Sequence, residues 1–301
     1  MNFLHIGLST GDNGHAEGFR QVFSNYRDIN VSSPTLNSDI EAIAASYKPD
    51  LVFIQIQDAG ISDSALQALK SNGAWILNWC GDVRARTPQC YFDYARNVDL
   101  TCFSNLRDID NMRQTGFKSD WLQIGYDPSI YRPDPVVEKD IDIIFMGNSF
   151  SHFPLSGLRR EMVKELKRVY GDRFKAFGSG MPDGSYMGNQ PGEAAMYRRA
   201  KIGINLSHFD LPRYTSDRMF RMLGCGVCVL SHNYHDIKSD FIESQVLTWN
   251  NLSDLVRHID FVLNNPTTLN GIAQNGHQLA VNNHTFSHMA QNVLKLYENN
   301  K

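Results

Sequence analysis

Between Arg213 and Arg221 the chain reads RYTSDRMFR, a run that combines helix-capping residues with three arginines. Thr215, Ser216 and Asp217 are all good caps, so a helix is expected to begin there and to continue through Arg218, Met219, Phe220 and Met222. A helix start presents free backbone N–H groups and the positive end of the helix dipole, and a phosphate can sit there. Arg218 falls in the first turn, where its guanidinium can add a bidentate contact to the same anion, and Arg213 lies in the loop just before. The flanking runs Ile202–Leu206 and Val227–Leu230 are short and apolar, as expected of two buried parallel strands.

Three other places carry residues suited to chemistry. The loop Ser9-Thr-Gly-Asp-Asn-Gly14-His15 follows an apolar run; its glycines permit close approach of a ligand to backbone, though it lacks the GxGxxG spacing of a dinucleotide site. His15 is then either a base or hydroxyl ligand, or an ordinary loop histidine. Asn78-Trp79-Cys-Gly-Asp82-Val-Arg84 closes a strand; Asp82 either deprotonates an acceptor hydroxyl or caps the next turn, and Trp79 and Arg84 stand beside it as acceptor-side candidates with Gly14. Gly147-Asn148-Ser149 offers a further point of backbone approach after a strand. Asp140-Ile-Asp142 has the outline of a metal-binding DxD but stands at the beginning of a strand, so it reads as structural and no metal site is expected.

The elements that must position these residues alternate. Strands are expected at Phe3–Leu8, Leu51–Gln55, Trp75–Trp79 and Leu100–Ser104, with helices near Glu17–Tyr26, Asn37–Tyr47, Asp63–Asn72 and Arg107–Thr115. Tyr126–Glu138 holds three prolines and reads as a linker. The pattern then restarts with strands Ile141–Met146, Phe174–Phe177 and Val246–Trp249, and helices at Leu158–Tyr170, Gly192–Arg199, Leu252–Leu263, Pro266–Asn275 and Phe286–Glu298. The class is α/β: two Rossmann-like, doubly wound domains, expected to face a common cleft across the C-terminal ends of their strands. The expected boundaries are an N-terminal domain over 1–128, a linker over 129–139, a C-terminal domain over 140–285 and a last helix over 286–301.

Composition supports an ordinary globular protein of 301 residues, 42% hydrophobic and 20% charged. A net charge of −3 argues against a polyanion partner, yet it hides a split. Met1–Pro128 carries 10 Lys and Arg against 15 Asp and Glu, whereas Asp140–Cys225 carries 13 against 9, so the second half is locally basic. Five cysteines at irregular spacing give no disulfide framework, and Cys225 and Cys228 read as buried small hydrophobes. The N-terminus has no basic segment before its apolar run and reads as a first strand, and no apolar run is long enough for a membrane helix, so a cytoplasmic protein is expected.

Several stretches, taken in order, resemble the CgeB/YkvP-like branch of the GT-B glycosyltransferases: Phe145-Met-Gly147-Asn148, Lys201–Leu206, Arg218-Met-Phe220-Arg221, Gly224-Cys-Gly226, Asn251-Leu252 and Asn283-His-Thr285. The resemblance covers roughly 140–301. It implies a nucleotide-sugar donor, UDP-linked by preference, held by the second domain at Gly147, Asn148, Arg213, Ser216 and Arg218, with an acceptor on the first. It also implies that the last helix crosses back to the first domain. Where the family has a ribose-binding Glu, this chain has Arg221, and a cation cannot accept from hydroxyls. Asp217 or Asp236 then replaces that Glu, or the donor differs, or the site is degenerate.

The expected activity is metal-independent transfer of a sugar from a nucleoside diphosphate sugar to a hydroxyl, with no cofactor beyond that co-substrate. Asp82 as base implies inversion, and no carboxylate at the acceptor implies retention. A non-catalytic nucleotide-sugar or glycan-binding module and a UDP-sugar epimerase are the alternatives. The acceptor is a glycan, a protein or, as a minority option, a hydroxylated base of phage DNA.

Overall fold

The computed structural model describes residues 1–8, 15–55, 60–184 and 190–301. Within it the chain forms two compact units, Met1–Gly125 with Phe286–Lys301, and Tyr126–Thr285.

In the first unit, strands β1 (Asn2–Gly7), β2 (Asn25–Asn30), β3 (Leu51–Gln55), β4 (Trp75–Cys80), β5 (Leu100–Phe103) and β6 (Ser119–Trp121) make one parallel sheet in the order β2-β1-β3-β4-β5-β6. Helices α1 (His15–Val22), α2 (Leu36–Ser46), α3 (Asp63–Ser71), α4 (Gln89–Ala95) and α5 (Leu106–Gln114) connect them. Side chains alternate across the sheet, so both faces must be covered. Leu4, Ile6, Val52 and Ile54 pack on one side with Ile40, Leu66 and Leu69. Phe3, Phe53, Leu77 and Trp79 pack on the other with Phe19 and, from the final helix, Met289 and Val293. A Cβ on Gly18 would lie 2.5 Å from Phe286, so only glycine lets α1 approach the final helix that closely.

The second unit contains β7 (Ile141–Met146), α6 (Ser156–Tyr170), β8 (Phe174–Phe177), α7 (Gln190–Arg199), β9 (Ala200–Asn205), α8 (Asp217–Gly224), β10 (Cys228–His232), β11 (Leu247–Trp249), α9 (Leu252–Asn264) and α10 (Pro266–Asn283). Its parallel sheet runs β11-β10-β9-β7-β8. The last helix, α11 (Phe286–Asn300), belongs to the first unit. Tyr126 already belongs to the second, because its N–H bonds His284 O at 2.9 Å and it forms a parallel bridge with Thr285.

The expected helix over Glu17–Tyr26 ends early, and Asn25–Asn30 is instead edge strand β2. Only Ile29 of that strand is buried, so its sequence lacks the apolar run that marks the inner strands. The short strand β6 and the helix α4 were likewise not expected from the pattern.

His5 on β1 is fully buried between Phe19 and Phe53, with Nδ1 3.0 Å from the Tyr26 hydroxyl. Burial pushes its pKa down to about 4. The folded protein therefore resists a proton that the unfolded chain takes up below about 6.5. Stability from this group is complete above that pH and is lost as pH falls toward 4, by up to about 3 kcal/mol. Denaturant midpoints between pH 7.5 and 4.5 should fall accordingly, and a His5→Phe variant should show a flatter acid slope.

Candidate functional site

In the second unit the strand order reverses between β7 and β9, and ligands of such sheets bind beyond the C-terminal strand ends at that point. The segments leaving those two ends begin at Gly147-Asn148 and Leu206-Ser207-His208. Arg159, on α6, joins them. It is only 1% exposed, and its Nη1 donates to Asn148 O at 2.8 Å while Nη2 donates to Leu206 O at 2.5 Å. Nη1 also lies 3.0 Å from His208 Nε2, and the guanidinium stands over the Phe145 ring. A guanidinium only donates, so His208 Nε2 accepts and the proton of the neutral ring rests on Nδ1.

Arg159 has no carboxylate partner among the described residues. Its interior charge is held by carbonyl dipoles and one imidazole, and burial together with the nearby Arg218 lowers its pKa to about 9. Burial, Arg159 and Arg218 likewise push His208 down to about 3. Burial is the first cause of both depressions, and the positive charges of Arg159 and Arg218 add to it.

Arg218 is the reachable member of this group: it is partly exposed and has no ion pair with a described residue. It stands in the first turn of α8, whose N-cap is Ser216. Ser216 does not cap with its side chain; its Oγ turns 3.3 Å to Asn205 Oδ1, and Asn205 is tied to Thr215 and Ser231. Asp217 takes part of the capping role, since its Oδ1 accepts from Arg218 N–H at 2.9 Å. Met222 holds the helix against β9, where a Cβ on Gly203 would lie 2.4 Å from its sulfur, and Leu223 packs on Gly276 of α10.

The remaining donor-side candidates are engaged by other residues of the second unit. Asn148 Oδ1 accepts from Ser179 N–H at 2.9 Å, and Gly178, at φ 142°, sits so close to Gly147 that a Cβ would lie 2.2 Å from its carbonyl oxygen. Arg213, at φ 54°, directs its guanidinium to Asp240 at 2.6 Å. Arg221 bridges two acids, Glu193 at 2.9 Å and Asp217 at 2.6 Å. Asp236 pairs with His235 Nδ1 at 2.8 Å, and both line a surface groove of about 490 Å³ with Asp210, Asn233 and Lys238. Asp140 and Asp142 are engaged by Arg199 and by Arg173 and Lys201 respectively, and no group of three or more potential ligands able to hold a metal occurs among the described residues.

In the first unit Asp82 is exposed just beyond β4, with Arg84 3.9 Å away. Trp79 and His15 are core residues. The Trp79 ring is buried, donates to Leu122 O at 2.9 Å and lies beneath Gly81; His15 is 4% exposed and packs on Phe286 at 3.9 Å between ring centres. Gly14 lies outside the described residues.

Arg159 and Glu193 were missed by the sequence reading. Arg159 looks like one of a basic pair, Arg159-Arg160, on an amphipathic helix, and its burial at the core-facing position beside Met162, Val163 and Leu166 is the only available signal.

Residues 159–295 match a family described as glycosyl transferase-like, a segment that opens on Arg159 and contains α8. A comparison with curated protein sequences gives no match. Among solved structures, HepE of Anabaena in complex with UDP-glucose superposes with a TM-score of 0.67 at 10% identity, covering 99% of this chain and 100% of that one. Sucrose-phosphate synthase from Thermosynechococcus elongatus gives 0.64 at 12% identity, covering 99% of each chain. A glycosyltransferase from Rickettsia africae gives 0.64 at 13%, covering 99% of this chain and 98% of that one. At such identities the likeness is one of fold.

Two doubly wound parallel sheets and the solved structures they superpose on define the GT-B fold, and residues 159–295 are similar to the glycosyl transferase-like family. Within that class the match is to the broad glycosyl transferase-like family and does not distinguish a branch.

Arg159→Leu should leave the Asn148 and Leu206 carbonyls without their donor and destabilise the second unit by about 2–4 kcal/mol, read by denaturant unfolding. Arg159→Lys, with no planar fork, should recover only part of this.

Proposed function

We propose that the protein transfers a sugar from a nucleoside diphosphate sugar, UDP-linked by preference, to a hydroxyl acceptor without a metal ion. The observation that carries this reading is the unneutralised pair Arg159 and Arg218 at the strand-order reversal of the second unit, beside the start of α8. The HepE structures of like fold hold UDP and UDP-glucose, which favours a uridine nucleotide here.

The donor diphosphate lies against Arg218 and the α8 start, with Arg159 behind the two loops. As the bond from the anomeric carbon to the β-phosphate oxygen breaks, negative charge grows on the departing diphosphate. Fixed cations that need no reorganisation stabilise it, the task a divalent ion performs in metal-dependent enzymes. The first unit takes the acceptor. Asp82, an exposed carboxylate beyond a strand end, accepts the proton of the attacking hydroxyl, so the anomeric configuration inverts. Arg213 supports the site through Asp240 and fixes the loop ahead of α8.

The test is UDP release from a panel of UDP- and GDP-sugars with mixed glycan acceptors. Arg218→Ala should lower turnover by about 10²-fold or more. Asp82→Asn should abolish transfer while leaving donor affinity unchanged. Full activity in Arg218→Ala would sink the assigned anion site, and full activity in Asp82→Asn would point to a retaining course.

A further inference from the structure

We infer that Arg107 and Asp108 are positioning residues of the transfer reaction: they form a clamp, built on a buried carboxylate, that fixes the loop after β4 and with it the direction in which Asp82 presents its side chain. The inference rests on the reading of Asp82 as the base given above.

Asp108 stands in the first turn of α5 and is only 2% exposed. A carboxylate taken out of water needs strong donors, and its two oxygens divide them. Oδ2 accepts from Asn105 Nδ2 at 2.9 Å, while Asn105 Oδ1 accepts the Asp108 N–H at 3.0 Å, which closes the N-cap of α5. Oδ1 serves the loop instead: it accepts from the Thr87 hydroxyl at 2.6 Å and from Arg107 Nε and Nη2 at 3.0 and 2.9 Å. The Arg107 fork then donates onward, from Nη2 to Arg84 O at 2.8 Å and from Nη1 to Ala85 O at 3.2 Å. Asn111, also on α5, donates to the Thr87 oxygen at 2.9 Å.

Asp82 lies inside the stretch held this way. Just before it, Gly81 rests on the Trp79 indole, where a Cβ would lie 2.3 Å away, and its carbonyl accepts from the Ser104 hydroxyl at 3.2 Å. Just after it, Val83 is buried. The backbone on both sides of Asp82 is anchored, yet its side chain remains 49% exposed and can meet a ligand. The clamp grips carbonyls and one hydroxyl, so it fixes the path of the loop without using its outward side chains. A buried ion pair adds little net stability compared with apolar packing, whereas its paired geometry fixes direction. Direction is what a general base needs: it must come within about 3 Å of the attacking hydroxyl, and a misplacement of about 1 Å costs about 10²-fold in rate. Asp82 is the residue that meets the substrate, and Arg107 and Asp108 act through it.

UDP or GDP release from the panel of UDP- and GDP-sugars, with water and mixed glycans as acceptors, tests this in the wild type and in Asp82→Asn. Arg107→Met leaves Asp108 its Thr87 and Asn105 donors and should slow turnover by about tenfold or more. Calorimetric UDP affinity should stay unchanged, because the proposed donor site lies in the second unit. Thr87→Val, which removes the hydroxyl at nearly constant volume, should slow turnover several-fold, and Thr87→Ser, which keeps it, should recover most of that loss. The residual turnover of Asp82→Asn should not fall further when Arg107→Met is added, because the effect passes through the missing carboxylate. Wild-type turnover in Arg107→Met, or the same fold loss with and without Asp82, overturns the inference and leaves the base standing. Full turnover in Asp82→Asn overturns the base assignment and the inference with it, and no nucleotide release from the wild type overturns the transferase reading itself.

Discussion

A single buried guanidinium organises the second unit. Arg159 reaches the carbonyl oxygens of Asn148 and Leu206, just past the strand ends where the sheet order reverses. A charge in the interior without a counter-charge is unfavourable, and carbonyl dipoles offset that only in part. The depressed pKa values of Arg159 and His208 express the remainder. On the proposed reading, a diphosphate beside Arg218 supplies the missing counter-charge.

The surrounding packing preserves this imbalance. Asn205 draws Ser216 and Thr215 toward the sheet, so the N-cap hydroxyl serves the strand and not the helix start. The acids of the region are held elsewhere: Asp240 by Arg213, Glu193 by Arg221, and Asp217 by Arg221 and the Arg218 amide. Gly203 brings α8 onto β9, and Gly178 brings the loop after β8 onto Gly147. Arg218 has no ion pair with a described residue, and its charge acts on Arg159.

The framework was legible wherever strands are buried on both faces. Leu51–Gln55 and Ile141–Met146 fall where their apolar runs place them, whereas β2, with a single buried residue, carries no such run. Capping types located the start of α8 to within a residue. Side-chain direction was not legible. Trp79 and His15 follow strand-end and loop patterns that suggest exposure, yet a ring's orientation depends on the helix packed over it, here α11, which is distant in sequence. Arg221 likewise acquires its meaning from Glu193, a partner that no local pattern specifies. Arg159 reads as surface charge until its neighbours are in place.

The central claim is that the second unit binds the diphosphate of its ligand through unneutralised cations. Calorimetric affinities for uridine, UMP and UDP test it directly, because the three share a nucleoside and differ in charge. Affinity should rise at each phosphate in the wild type, fall with added salt, and lose most of the rise in Arg218→Ala. Equal affinity for uridine and UDP would contradict it.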